Sequence, residues 1–209
     1  MTSCEELHKW VRTLHKFRFP FDRNKIPLNG IYFLFEKGER GHGGERVVRV
    51  GTHTGEGQLP SRLKQHFLMA NKDRSIFRKN IGRALLARDY DPFLADWEID
   101  LTPRAARELH SVRINRPKQE RVESEVSKRI QDNFSFAVVR IDTKEERLRL
   151  EARIISTVSL CRACKPSVDW LGNFSPKKEI RESGLWNVQE LYGEPLADRD
   201  FTRLKEAVL

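Results

Sequence analysis

Cysteine is scarce in this 209-residue chain, which has only Cys4, Cys161 and Cys164. An odd, small number of thiols cannot build a disulfide framework, so reduced cysteines in a cytoplasmic protein are the simpler reading. Long apolar runs are missing as well, which excludes a membrane-spanning helix. The opening residues "MTSCEELHKWVRTLHKF" are interrupted by charge and do not read as a signal peptide. There is no internal repeat and no low-complexity tract, so the length points to one good core with small additions at its ends. What the chain has in excess is positive charge. Lys and Arg total 39 against 30 for Asp and Glu, a formal net charge of +9. That balance favours a polyanionic partner, most often nucleic acid.

Hydrophobic spacing sets the element pattern. Residues 3–17 suit a short amphipathic helix, with Ser3 and Glu6 at capping-box spacing and Leu7, Trp10, Val11, Leu14 and Phe17 at helical intervals. Pro20 and Pro27 mark a linker. "GIYFLFE", the glycine-rich "KGERGHGGE" and "RVVRVG" together predict a β-hairpin. "SRLKQHFLMA" predicts a helix with Leu63, Phe67 and Ala70 facing inward. A basic helix over about 74–88 follows, with Phe77, Ile81, Ala84 and Leu85 as its buried stripe. "ADWEIDL" alternates like a third strand, and Thr102-Pro103 opens a helix to about Val112. "KQERVESEVSKRIQ" then predicts a helix, "FSFAVVRID" a strand, and "EERLRLEARIISTVSL" a further helix. The tail from 176 is less regular, ending in a candidate helix "DFTRLKEAVL". This order of elements predicts an α+β fold.

A few residues stand out for their chemistry. Glu151 lies three or four positions from Leu148, Ile154 and Ile155, in or beside an apolar helix stripe. A buried carboxylate needs a partner, and either an arginine or a divalent cation serves. Arg62 and His66 are four apart and share one helix face. Tyr32 alternates with Ile31 and Phe33, so it points to the opposite face of its sheet. Asn173 sits in the turn-like "WLGNFSP". Arg74, Arg78, Lys79 and Arg83 cover much of the basic helix, as a solvated face or a phosphate-binding one.

Taken in order, these pieces resemble the GIY-YIG nuclease superfamily. They are Gly30-Ile31-Tyr32, Arg49-Val50-Gly51, Arg62 and His66 in "SRLKQHF", Glu151 in "RLRLEARII", and Asn173. The resemblance covers residues 28–175, with 1–27 as an N-terminal helix and linker and 176–209 as an extension packing on the core. The stretch from about 71 to 133 is then a helical insertion. The resemblance implies a small three-stranded antiparallel sheet flanked by helices, and an endonuclease that hydrolyses DNA phosphodiesters with one divalent ion, Mg2+ or Mn2+. It implies that Glu151 binds the metal and that Tyr32 activates or positions the attacking water. Arg62 would stabilise charge at the phosphate, His66 would relay protons or hold Tyr32, and Asn173 would fix a phosphate or the local backbone. A histidine four residues after the arginine resembles the restriction-enzyme branch.

One position departs from the family pattern. Arg49 stands where the second triplet should begin with tyrosine, and a guanidinium cannot act as a base at neutral pH. It can bind phosphate, together with Arg74, Arg78, Lys79 and Arg83, and His53 is a candidate for the lost proton-handling role. The same departure motivates an alternative, a nucleic-acid-binding module on the nuclease scaffold that no longer cuts. Cys161-x-x-Cys164 has half the spacing of a zinc site. No second pair matches it, and Cys4, His42, His53 or His110 would complete it only by a coincidence of folding. The two terminal segments are candidate supports for a homodimer.

Overall fold

The computed structural model describes residues 2–110 and 112–208. Strands β1 (Lys16–Arg18), β2 (Ile31–Gly41), β3 (Gly44–Gly51) and β4 (Phe134–Val139) form one antiparallel sheet in the order β1-β4-β2-β3. The resemblance implied three strands, and the fourth is "KFR", from the stretch read as the end of the first helix. That helix, α1 (Cys4–Val11), stops early, its C-cap being Arg12. Phe17 then stacks on Phe136 with ring centroids 5.2 Å apart, which fixes the short edge strand against β4.

The remaining helices are α2 (Leu59–Phe67), α3 (Ile76–Arg88), α4 (Leu94–Trp97), α5 (Arg104–His110), α6 (Arg116–Asn133), α7 (Lys144–Ser159), α8 (Lys178–Ser183) and α9 (Asp198–Glu206). The expected strand "ADWEIDL" is therefore helical at its start. Among the described residues no neighbouring strand is there for its alternation to pair with. Trp97 instead packs over Gly82, where an added Cβ would meet the indole at 2.3 Å, and its Nε1 donates to the Lys79 carbonyl at 3.0 Å. Local alternation is a weaker signal than the burial of one indole.

Alternation along β2 divides the interior in two. Tyr32 and Leu34 face a core shared with α2, α3 and α6. Ile31, Phe33 and Phe35 face a second core shared with α1, α7 and α9. Leu7, Val11 and Leu204 are fully buried there, so the apolar faces of both terminal helices are used within this chain. Each such side chain contributes roughly 1.5–3 kcal/mol of transfer free energy.

Helix α3 departs most from its sequence pattern. It is embedded on nearly every side, and its bases turn inward. Arg78 is fully buried, with Nη2 2.7 Å from Glu123 Oε2 and Nη1 donating to the His66 carbonyl at 3.1 Å. Arg83 pairs with Glu98 at 2.6 Å, and Lys79 donates to the Glu98 carbonyl at 2.7 Å. These three bases are ion-paired or hydrogen-bonded to groups of the chain itself, with Arg78 and Arg83 buried and Lys79 partly so. Of the four bases proposed on this stretch, only Arg74 is exposed.

Candidate active site

Two glycines set how closely the backbone packs at one end of the sheet. A Cβ on Gly30 would lie 2.3 Å from the Val139 carbonyl oxygen, so only glycine lets β2 start against the end of β4. A Cβ on Gly51 would lie 2.1 Å from Tyr32 Oη, so the phenol occupies space that any side chain there would fill. Tyr32 and Gly51 are register partners across the β2–β3 pair. The glycine of each triplet thus has a packing reason, and the second exists to seat the tyrosine.

Behind the phenol runs a short buried chain of polar groups. Tyr32 Oη is 2.8 Å from His66 Nε2, and His66 Nδ1 is 2.7 Å from Ser75 Oγ. Ser75 caps α3, its oxygen accepting the Arg78 N–H at 3.2 Å. His66 is fully buried, and its pKa lies well below the usual imidazole range. Burial is the main cause, reinforced by the charges of Arg62, Arg49 and Arg78. The ring is neutral at physiological pH.

Tyr32, Arg49, Arg62 and Glu151 line one cleft of about 270 Å³, together with Thr52, Asn80, Asn187 and Glu190. β3 is the edge strand, and the cleft forms where α2 on one sheet face and α7 on the other meet around that edge. Arg62 Nη1 is held by Gln65 Oε1 at 3.0 Å and the Arg74 carbonyl at 3.1 Å. Among the described residues Arg62 has no carboxylate partner. Arg49 donates to the Trp186 carbonyl at 2.7 Å and lies over the Phe77 ring at 5.5 Å, while its buried Nε has no partner among the described residues.

Glu151 also forms no ion pair among the described residues. Burial pushes its carboxyl up to about 7, opposed by Arg49, the Thr52 backbone amide and Arg62, while Glu190 pushes it further up. This carboxylate is short of positive charge at the wall of a polar cleft, with a second acid beside it. Such a donor set suits a hard divalent cation, which accepts one or two carboxylates and completes its shell with water or phosphate oxygens.

Two residues singled out from the sequence lie elsewhere. Asn173 is in a 3₁₀ turn, Leu171–Phe174, where its Nδ2 donates to the carbonyls of Ser167 and Val168, both at 2.9 Å. It is not among the residues lining the cleft. His53 lines a neighbouring cavity of about 310 Å³ that shares Thr52 and Arg62 with the cleft. Its Nε2 accepts the Gly30 N–H at 3.3 Å, and its Nδ1 lies 2.6 Å from the Gly55 carbonyl. Burial lowers its pKa, and both nitrogens are occupied in holding a loop against the start of β2.

The structure adds residues that no spacing signal marks. Asn187 binds the β3 edge through both amide atoms, accepting the Val50 N–H at 3.1 Å and donating to the Val50 carbonyl at 2.9 Å. Asn80 from α3 and Glu190 complete the wall. Glu190 has φ of 60°, an uncommon conformation for a non-glycine residue. A family model described as GIY-YIG domain matches residues 2–208. No curated protein and no solved structure matches the chain.

Proposed function

The chain belongs to the GIY-YIG domain family, a family of nucleases, and from that premise we propose that it is a divalent-ion-dependent DNA endonuclease working in the cleft beside β3. The observation that carries this reading is convergence. Tyr32, Arg62 and Glu151 come from a strand and from helices on opposite sheet faces, yet line one cavity.

Each side chain has a role that its surroundings support. Glu151 would hold Mg2+ or Mn2+, which when bound polarises the scissile phosphate and steadies the leaving oxygen. Neutral His66, with Nδ1–H directed to Ser75, presents Nε2 as an acceptor for the Tyr32 proton. The phenol oxygen can then take a proton from the attacking water. Arg62, anchored through one nitrogen and free of any carboxylate among the described residues, offers its remaining donors to the phosphate as charge builds there. Arg49 in place of tyrosine contributes positive field and a brace to Trp186, leaving proton transfer to the Tyr32–His66 pair.

Arg49 also supports the second reading, a module that binds nucleic acid without cutting it. One experiment separates the two. Plasmid, linear duplex and branched DNA are incubated with Mg2+ or Mn2+ and either the parent protein or Glu151→Gln. The enzyme reading expects cleavage by the parent, none by the variant, and DNA retention by both. Retention without cleavage on every substrate and ion establishes the binding module. In that case Arg62→Ala should lower the log–log salt slope of binding by about 0.9, one phosphate contact.

A further inference from the structure

Away from the cleft, the fold gathers all three cysteines and two histidines from three separate segments. Cys4 and His8 stand on the first turns of α1, His42 on the β2–β3 turn, and Cys161 and Cys164 in the loop after α7. Donor atoms of Cys4, His8, His42 and Cys164 all lie within 4.8 Å of one another. Cys161 Sγ is 3.3 Å from His42 Nε2, and Cys4 Sγ is 3.4 Å from His8 Nδ1. A tetrahedral zinc site with Zn–S of about 2.3 Å and Zn–N of about 2.0 Å has donor–donor edges of roughly 3.3–3.8 Å. The Cys161–His42 contact falls in that range.

His8 is the donor least able to ligate. Its Nε2 accepts the Val47 N–H at 3.1 Å, so the proton sits on Nδ1, which donates to the Cys4 carbonyl at 2.8 Å. Both nitrogens are thus engaged by backbone groups, although Nε2 also lies 3.5 Å from Cys164 Sγ. Cys161 lies outside that mutually close group but touches His42, and it supplies the remaining donor through the Cys-x-x-Cys spacing common in zinc sites. We propose that Cys4, His42, Cys161 and Cys164 hold one structural Zn2+, with His8 as a neutral buttress beneath it. Three thiolates, one neutral imidazole and the dication leave a net charge of −1. The three thiol protons are released to solvent on binding.

The surroundings are built for this approach. A Cβ on Gly41 would lie 2.9 Å from Cys164 Sγ, so glycine there lets the sulfur reach the hairpin. His42 has φ of 50°, and Arg12 Nη2 donates to the carbonyls of Gly41 at 2.9 Å and His42 at 2.7 Å. The turn is thereby fixed to the end of α1. Glu151 and Cys161 are ten positions apart, about 15 Å at helical rise. The zinc would tie down the end of the helix that carries Glu151 while standing clear of the cleft. Four protein ligands close the site, as in structural rather than catalytic zinc.

The test uses the full chain in the parent form and as Glu151→Gln, purified from zinc-supplemented growth. Native mass spectrometry and elemental analysis should find one zinc per chain in both, which separates this site from a cation at Glu151. Replacement by Co2+ should give the intense visible d–d bands and thiolate charge-transfer absorption of a tetrahedral S₃N centre. Removal of the metal by a chelator should lower the thermal midpoint by about 10 °C. Cys161→Ser should lose the stoichiometric metal, whereas His8→Gln should keep the cobalt spectrum. Three freely titrating thiols without bound metal, or a disulfide among them, overturns the proposal. Retention in Cys161→Ser with loss in His8→Gln overturns the ligand set. Because the cobalt spectrum and the chelation shift are read on unmutated protein, a variant that fails to fold leaves the test intact.

Discussion

Glu123 and Glu151 are acids on helices that pack against opposite faces of the same sheet, and the fold treats them in opposite ways. Glu123, on α6, is 4% exposed and receives Arg78 through Nε at 3.2 Å and Nη2 at 2.7 Å, as well as the Lys72 backbone N–H. Its charge is closed off. Glu151, on α7, is only partly buried, and among the described residues no base pairs with it. The difference separates a carboxylate that holds structure from one kept ready for a partner that arrives with substrate. Exposure and counter-charge both separate them: the enclosed acid is paired and the partly exposed one is not.

That contrast can be broken from either side. The largest effect is expected at the closed acid. Glu123→Ala leaves Arg78 buried without its partner and should cost about 3–5 kcal/mol in urea unfolding. A loss under about 1 kcal/mol would mean that the pair does not anchor α3 to α6.

Glu151→Gln should move stability the other way. The carboxyl is raised from 4.5 to about 7 on folding, so the folded chain holds the proton more tightly than the unfolded one. The resulting penalty is absent below pH 4.5, grows as pH rises through the interval, and is complete above about 7. The shift corresponds to about 3 kcal/mol. In the absence of divalent ions, the variant should be more stable than the parent by up to that amount at about pH 8. The gap should close as pH falls to 4.5. A variant less stable than the parent in mild alkali would show that Glu151 has a resident partner after all.

Tyr32→Phe keeps the packing over Gly51 and removes only the contact to His66. Single-turnover cleavage should fall by about 10²-fold or more, with stability changed by about 1 kcal/mol. Equal loss of DNA binding would assign the phenol to substrate contact instead. The smallest effect is expected at Ser75→Ala, which removes the α3 cap and the second link of the relay. Unfolding should show a loss of about 1 kcal/mol. Cleavage should fall less than in Tyr32→Phe, because His66 keeps its place in the core.

How much of this was readable beforehand depends on distance along the chain. The hairpin, α2, α6 and α7 follow from local periodicity, and the α+β class follows from their order. Tyr32, Arg62, His66 and Glu151 drew attention through motif order, and the fold brings Tyr32, Arg62 and Glu151 to one cleft with His66 directly behind the phenol. Arg78, Lys79 and Arg83 are not legible in the same way, because a basic stripe looks the same whether its partners are phosphates or groups elsewhere in the same chain. "ADWEIDL" misled because strand alternation has no meaning without a neighbouring strand. Asn187 gave no signal: its role is to bind the edge of a strand about 137 positions earlier in the chain.

The sequence by itself determined the local elements, the glycine positions that permit close approach, and an ordered set of chemically apt residues. Those depend on backbone preference and side-chain identity, which act over a few residues. Only the tertiary structure decided which charges were matched. It closed Glu123 against Arg78, left Glu151 facing a cleft, and drew Cys4 and His42 to the Cys161–Cys164 loop. Pairing of charges and donors is a property of distances between remote segments, and those distances exist only once both faces of the sheet are packed.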